Sequence, residues 1–199
     1  GLQGFDLKGK TIGIVGTGRI GRHAIKMAFG FDMRVVAYDP YPNAELQKQF
    51  GFEYVSLDEL LQKSDIVTLH VPYTKETHHL IDVSKFALMK KGAYLINTSR
   101  GGLVETEALV AALRDGRIGG AGLDVLEEEG VIKDEMDFLM NGHPEGHNLK
   151  TILANHVLID MPNVIITPHN AFNTWEALQR ILDATIANIR GFQEGEPQN

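Results

Sequence analysis

Gly16-Thr17-Gly18-Arg19-Ile20-Gly21 spaces three glycines as G-x-G-x-x-G, directly after an apolar run over 12–15 and directly before a helical pattern over 20–29. In that setting the chemistry is phosphate binding. Gly16 allows a tight turn, Gly18 lets the backbone approach a pyrophosphate, and Gly21 lets the helix pack on the strand. The helix start adds free N–H groups and the positive end of a dipole. Asp39 closes the next apolar run, Arg34–Tyr38. It stands about 20 residues beyond the glycines, where a carboxylate holds a ribose 2′-hydroxyl and repels a 2′-phosphate. The cofactor expected is therefore NAD rather than NADP.

Three further polar groups close later apolar runs, and ligands of open α/β sheets sit at the carboxyl ends of strands. Asn97-Thr98-Ser99-Arg100-Gly101-Gly102 follows one run, and the planar fork of Arg100 suits bidentate binding of a substrate carboxylate. Thr167-Pro168-His169-Asn170 follows another, and His169 can exchange a proton near neutral pH. Gly122-Leu123-Asp124-Val125 leads into Leu126-Glu127-Glu128-Glu129. A carboxylate beside the histidine would hold its ring and stabilise the imidazolium. Spacing does not choose among the three glutamates. The plainer alternatives are a surface arginine in a Gly-rich turn, a hydrogen-bonded strand-end histidine and a solvated acidic loop.

Metal chemistry is not expected. The chain has no cysteine, so disulfides and zinc-thiolate sites are excluded. His143-Pro144-Glu145-Gly146-His147 pairs two histidines, but its Pro and Gly oppose the regular helix a zincin-type pair needs. His78-His79 follows a turn and reads as a surface or capping pair.

The elements that must position these groups alternate along the chain. Strand-like runs fall at Thr11–Val15, Arg34–Tyr38, Ile66–Leu69, 94–97, 120–125 and 164–167. They are nearly continuous in apolar residues, as parallel strands buried on both faces are. Helical patterns lie between them at 20–29, 57–62, 83–87, 105–114 and 174–192. Ser56-x-x-Glu59 resembles a capping box, and Gly116 is placed to end the 105–114 helix. The order predicts an α/β fold, a doubly wound, mostly parallel sheet with helices on both faces (Rossmann). The whole chain, 1–199, reads as one dinucleotide-binding domain. Residues 127–161 form a long excursion between two strands, with short helices expected at 134–140 and 149–153.

Composition narrows the partners. Of 199 residues, 43% are hydrophobic and 23% charged, ordinary for a packed globular domain. A net charge of −7 argues against a nucleic-acid partner, which needs clustered Lys and Arg. No apolar stretch reaches the roughly 18 residues of a membrane helix. The opening Gly1-Leu2-Gln3-Gly4-Phe5 lacks the features of a signal peptide and an initiator Met, as expected of a piece of a longer protein.

Taken together, five segments resemble the D-isomer-specific 2-hydroxyacid dehydrogenase family. They are Gly9-Lys10-Thr11-Ile12-Gly13-Ile14-Val15-Gly16-Thr17-Gly18-Arg19-Ile20-Gly21, His70-Val71-Pro72-Tyr73-Thr74-Lys75-Glu76-Thr77, Ile96 through Gly102, Gly122-Leu123-Asp124-Val125 and Ile166-Thr167-Pro168-His169. They fall in family order and span nearly the whole chain. The resemblance implies an NAD-dependent enzyme passing a hydride from NADH to a 2-keto acid, giving a D-2-hydroxy acid. It implies the catalytic set Arg100, Glu129 and His169. Glu129 is selected because the family's glutamate lies five positions after the Asp of the LDV motif. Arg100 would bind the substrate carboxylate and polarise the ketone, and His169 would give a proton to the keto oxygen. Cofactor contacts would come from Gly16, Gly18, Arg19, Ile20, Gly21, Asp39, Val71, Pro72, Thr77, Thr98, Ser99 and Asp124.

The resemblance also implies a separate, discontinuous substrate domain absent from this chain, with 193–199 starting the return to it. Such a piece would bind NAD and turn over weakly or not at all. A homodimer formed through this domain and a cytoplasmic location are expected. His169-Asn170-Ala171-Phe172-Asn173-Thr174 and the excursion lean toward the D-lactate dehydrogenase branch. The rival readings are an NAD-sensing corepressor-type module and a phosphite-type dehydrogenase. A formate-type enzyme is disfavoured because it lacks a glutamate paired with the histidine.

Overall fold

The computed structural model describes residues 4–129 and 148–195. The chain divides into two compact units, Gly1–Ile166 and Thr167–Asn199.

Among the described residues of the first unit are seven strands: β1 (Thr11–Val15), β2 (Arg34–Tyr38), β3 (Glu53–Tyr54), β4 (Ile66–Leu69), β5 (Ala93–Asn97), β6 (Ile118–Leu123) and β7 (Val164–Ile166). They form one sheet in the order β3-β2-β1-β4-β5-β6-β7. Every pairing is parallel. Among its described residues the α-helices are α1 (Arg19–Gly30), α2 (Ala44–Phe50), α3 (Leu57–Lys63), α4 (Val83–Leu88), α5 (Thr106–Arg114) and α6 (Leu149–Asp160).

Consecutive strand residues serve opposite faces. Ile14, Val35, Ala37 and Ile66 pack with Ile25, Ala28 and Leu46 of α1 and α2. Val15, Val36, Val67, Leu69 and Leu95 pack with Leu60, Leu61, Leu109 and Leu158 of α3, α5 and α6. A strand sandwiched between two helical layers must be apolar at every position, which is why these runs lack alternation. The expected α/β doubly wound fold is therefore present. β1 pairs with both β2 and β4, so the direction of winding reverses between β1 and β4. That reversal leaves a crevice at the carboxyl ends of these strands.

β3 and α2 leave no periodic pattern in the sequence. β3 has two residues, too few to show a period, and α2 buries only Leu46. The capping chemistry of α2 is nonetheless ordinary: Asn43 Oδ1 accepts from Leu46 N at 2.9 Å, and Gly51 closes the helix at φ 72°. At α3, Ser56 Oγ accepts from Glu59 N at 3.2 Å, while the Glu59 carboxylate pairs with Lys63 at 2.6 Å instead of completing the box. Gly116 follows α5 at φ 66°, as anticipated. α6 runs to Asp160, well beyond 149–153, because Thr151, Ile152, Asn155 and Leu158 bury one continuous stripe. The helix expected at 134–140 lies outside the described residues.

In the second unit, α7 (Trp175–Gln193) starts at Thr174, whose side chain accepts from Ala177 N at 3.1 Å. Among the described residues, no helix is long and apolar enough to cross a membrane.

Candidate active site

The glycine loop leaves β1 at the winding reversal. Gly16 has φ 94°, and its N–H donates to Tyr38 O at 2.8 Å, tying the loop to the end of β2. A Cβ on Gly16 would stand 2.7 Å from His70 O, and one on Gly21 would stand 2.0 Å from Gly16 O. Both approaches demand glycine. Gly18 differs: nothing lies within 4 Å of its Cβ position, so the space above it is open. Arg19 and Ile20 begin α1 and are exposed there.

Asp39 is pointed back at this loop. Its Oδ2 accepts from Thr17 N at 2.7 Å and Thr17 Oγ1 at 2.9 Å, and its Oδ1 accepts from Tyr41 N at 2.9 Å. A carboxylate offers about four lone-pair sites, so these three bonds leave capacity for a ribose hydroxyl. Open space over Gly18, the first amides of α1 and a half-buried carboxylate alongside together fit a dinucleotide.

Beyond β4, His70 N donates to Val15 O at 2.7 Å, so the β4 exit lies against the β1 exit. Burial pushes the His70 imidazole down to about 4, and its Nε2 meets Thr68 Oγ1 at 3.1 Å. His70 is neutral at physiological pH, which keeps an uncompensated cation out of the sheet end. Val71 is buried and Pro72 exposed. Thr77 locks the turn between them and α4: its hydroxyl accepts from Thr74 N at 2.7 Å and donates to Pro72 O at 2.8 Å.

The β5 exit is braced by Asn97, which is buried. Its Oδ1 accepts from Ser99 N at 3.0 Å and its Nδ2 donates to Arg100 O at 2.9 Å. Ser99 Oγ donates to Val71 O at 2.7 Å, joining this turn to the β4 exit. Thr98 and Arg100 are left exposed, and Arg100 Nη1 donates to Ser99 O at 2.7 Å. Asn97 stands in the sequence motif with no role assigned to it by residue type or spacing. An Asn two residues before a Ser-x-Gly-Gly turn is the available signal, since such side chains cap turns.

The β6 exit closes on the same turn. Asp124 is buried, and its N–H donates to Asn97 O at 2.9 Å. A Cβ on Gly101 would lie 2.1 Å from Leu126 C and 2.2 Å from Glu127 N, so only glycine lets the Arg100 turn lie against the acidic loop. The three glutamates are no longer equivalent. Glu127 Oε1 takes His79 Nε2 at 2.7 Å, its Oε2 takes Thr106 Oγ1 at 2.8 Å, and its backbone O accepts from Asn155 Nδ2 at 2.6 Å. Its carboxylate is already engaged. Glu128 stands at φ 56°, and Glu129 Oε2 accepts from Leu126 N at 3.4 Å.

Arg100 and Glu129 thus sit on adjoining turns of the first unit. His169 belongs to the second unit. There it stands at φ 51°, its N–H donates to Thr167 O at 2.9 Å, and its ring meets Phe172 edge-on at 6.1 Å. A non-glycine residue in the left-handed region is uncommon and concentrates at functional positions.

The fold and the dinucleotide crevice have counterparts among known proteins. The family profile described as D-isomer specific 2-hydroxyacid dehydrogenase, NAD binding domain, matches residues 1–171. A 2-hydroxyacid dehydrogenase homolog of Zymomonas mobilis is 43% identical over 197 residues, covering 98% of this chain and 57% of that protein. The glyoxylate reductase of Thermococcus litoralis is 42% identical over 193 residues, covering 97% and 52%. The crystal structure of the Aquifex aeolicus D-lactate dehydrogenase complexed with NAD and lactic acid superposes with a TM-score of 0.87 at 40% identity, covering 98% of this chain and 56% of that one. The chain spans about half the length of the curated relatives it matches.

Proposed function

The chain belongs to the D-isomer specific 2-hydroxyacid dehydrogenase family through its NAD-binding domain, and on that premise we propose that it serves an oxidoreductase that converts a 2-keto acid to a D-2-hydroxy acid, with a D-lactate-like substrate. The observation that carries this reading is the Gly101 contact. It sets the Arg100 turn against the loop that leads to Glu129, at the carboxyl ends of β5 and β6.

When bound, NADH supplies the hydride that adds to C2 of the keto acid. Gly16, Gly18, Gly21 and the start of α1 hold the pyrophosphate, with Arg19 and Ile20 beside it. Asp39 takes the ribose hydroxyl. Val71, Pro72, Thr77, Thr98 and Ser99 line the cofactor, and Asp124 stands near the nicotinamide carboxamide. Arg100 binds the substrate carboxylate through two parallel N–H bonds and offsets charge growing on the keto oxygen. His169 donates the proton that oxygen receives. The family resemblance gives Glu129 the role of holding the imidazolium, and Glu127 is already engaged by His79 and Thr106. The lactic acid complex of the Aquifex relative supports the substrate class. The same reading takes the chain as one dinucleotide-binding domain, dimerising through it in the cytoplasm, with a substrate domain completing the cleft.

The test is NADH oxidation by the full-length protein across a panel of 2-keto acids, followed by chiral analysis of the product. Pyruvate should be reduced to D-lactate. His169→Ala should remove turnover while NADH still quenches intrinsic fluorescence on binding. NADH binding without reduction of any keto acid would instead favour a cofactor-sensing module.

A further inference from the structure

His78 and His79 have no part in the reaction above, yet their arrangement is specific. His79 stands at φ 49°, its N–H donating to Gly102 O at 2.8 Å. Its Nε2 meets Glu127 Oε1 at 2.7 Å. The two imidazoles stack, with centroids 3.8 Å apart and planes inclined by 25°. Tyr73 Oη meets His78 Nδ1 at 3.0 Å, which leaves Nε2 as that ring's other coordinating nitrogen. One ligand atom from each of His78, His79 and Glu127 lies within 4.8 Å of the other two. Beside them is a cavity of about 280 Å³, lined also by Glu105, Glu107 and Glu128.

We propose that His78, His79 and Glu127 bind one divalent first-row transition ion of the zinc type. Two imidazoles and a carboxylate suit Zn²⁺, Co²⁺ or Ni²⁺, whereas Mg²⁺ and Ca²⁺ prefer oxygen alone. Outer partners are in place. Tyr73 orients His78, and Thr106 Oγ1 holds Glu127 Oε2 at 2.8 Å, leaving Oε1 to face the histidines. Bonds of about 2.0–2.1 Å require ligand atoms about 3.3 Å apart, so His79 Nε2 and Glu127 Oε1, now hydrogen-bonded at 2.7 Å, part slightly to admit the ion while the His78 ligand atom closes on them. His78 is the exposed member and supplies that movement by swinging off the stack. The cavity accommodates water in the remaining position. A histidine–glutamate hydrogen bond that only pinned the loop would need neither the second imidazole nor its tyrosine partner.

The experiment uses the full-length protein after chelator treatment, titrated with Zn²⁺ by calorimetry and thermal shift, and with Co²⁺ by visible absorption. One ion per chain, a raised Tm and Co²⁺ bands in the visible are expected. H78A should weaken binding at least tenfold and remove those bands without lowering the Tm of the metal-free protein. H79A and E127Q should weaken binding in the same way. H143A/H147A should bind as the wild type does. No binding up to about 1 mM Zn²⁺, binding unchanged in H78A, or binding lost only in H143A/H147A would each overturn the proposal.

Discussion

Replacing Gly101 by alanine should damage both stability and rate. Gly101 has no positive φ, so the effect comes from space alone. Its Cβ would stand 2.1 Å from Leu126 C and 2.2 Å from Leu126 O and Glu127 N, where ordinary contact begins at 3.4 Å. The obstacle is backbone, which cannot rotate aside, so the two turns must part by roughly 1.3 Å. Overpacking of this kind costs about 1–3 kcal/mol, and a rigid obstacle places G101A near the upper end. At about 2–4 °C per kcal/mol for a domain of this size, Tm should fall by about 6–12 °C. The separation falls between Arg100 and the loop carrying Glu129, and a 1 Å misplacement of catalytic groups costs on the order of 100-fold in rate. Thermal unfolding by circular dichroism gives the first quantity, and kcat with pyruvate and NADH, measured well below the new Tm, gives the second. Gly30→Ala is the control: nothing lies within 4 Å of that Cβ and φ is not positive, so Tm should hold or rise slightly. A G101A protein with wild-type Tm and wild-type kcat would refute the packing argument.

Two further perturbations test the cofactor crevice. His70 is held neutral, with its folded pKa down to about 4 against 6.5 unfolded. The unfolded chain therefore takes up a proton that the folded one refuses, and stability is lost as pH falls from about 6.5 towards 4, by at most about 3 kcal/mol. Urea midpoints at pH 7 and pH 4.5 should show this loss in the wild type and a smaller one in His70→Asn; equal losses would assign the acid sensitivity to other groups. Asp39→Ala removes the acceptor of Thr17 N, Thr17 Oγ1 and Tyr41 N and the proposed ribose partner together. NADH should bind about tenfold more weakly, close to 1.4 kcal/mol, and discrimination against NADPH should shrink. Fluorescence titration with both cofactors checks this, and an unchanged NADH/NADPH ratio would remove Asp39 from cofactor selection.

Much of the fold was legible because the relevant physics is local. The apolar runs at Thr11–Val15, Arg34–Tyr38 and Ile66–Leu69 are strands with those bounds, since burial on both faces leaves an unmistakable composition. G-x-G-x-x-G was readable because the turn at Gly16 and the close approach at Gly21 admit only glycine, while the open space over Gly18 is left for a ligand. β3 and α2 were not legible, being too short or too exposed to carry a period, and α6 was read short because its buried stripe answers to partners distant in sequence.

The acidic run marks the limit most clearly. Leu126-Glu127-Glu128-Glu129 is three equal carboxylates to a reader of residues, and family resemblance alone selected Glu129. Tertiary structure separates them by bringing His79, 48 positions away, and Thr106, 21 positions away, onto Glu127. The same folding gathers His78, His79 and Glu127 so that one donor atom of each lies within 4.8 Å of the other two. Residue type and spacing determine what each segment can do along its own backbone, because turn, strand and helix energies act over a few residues. Which side chain is already engaged depends on contacts across the sheet, and those exist only once β4, β5 and β6 place their carboxyl ends side by side.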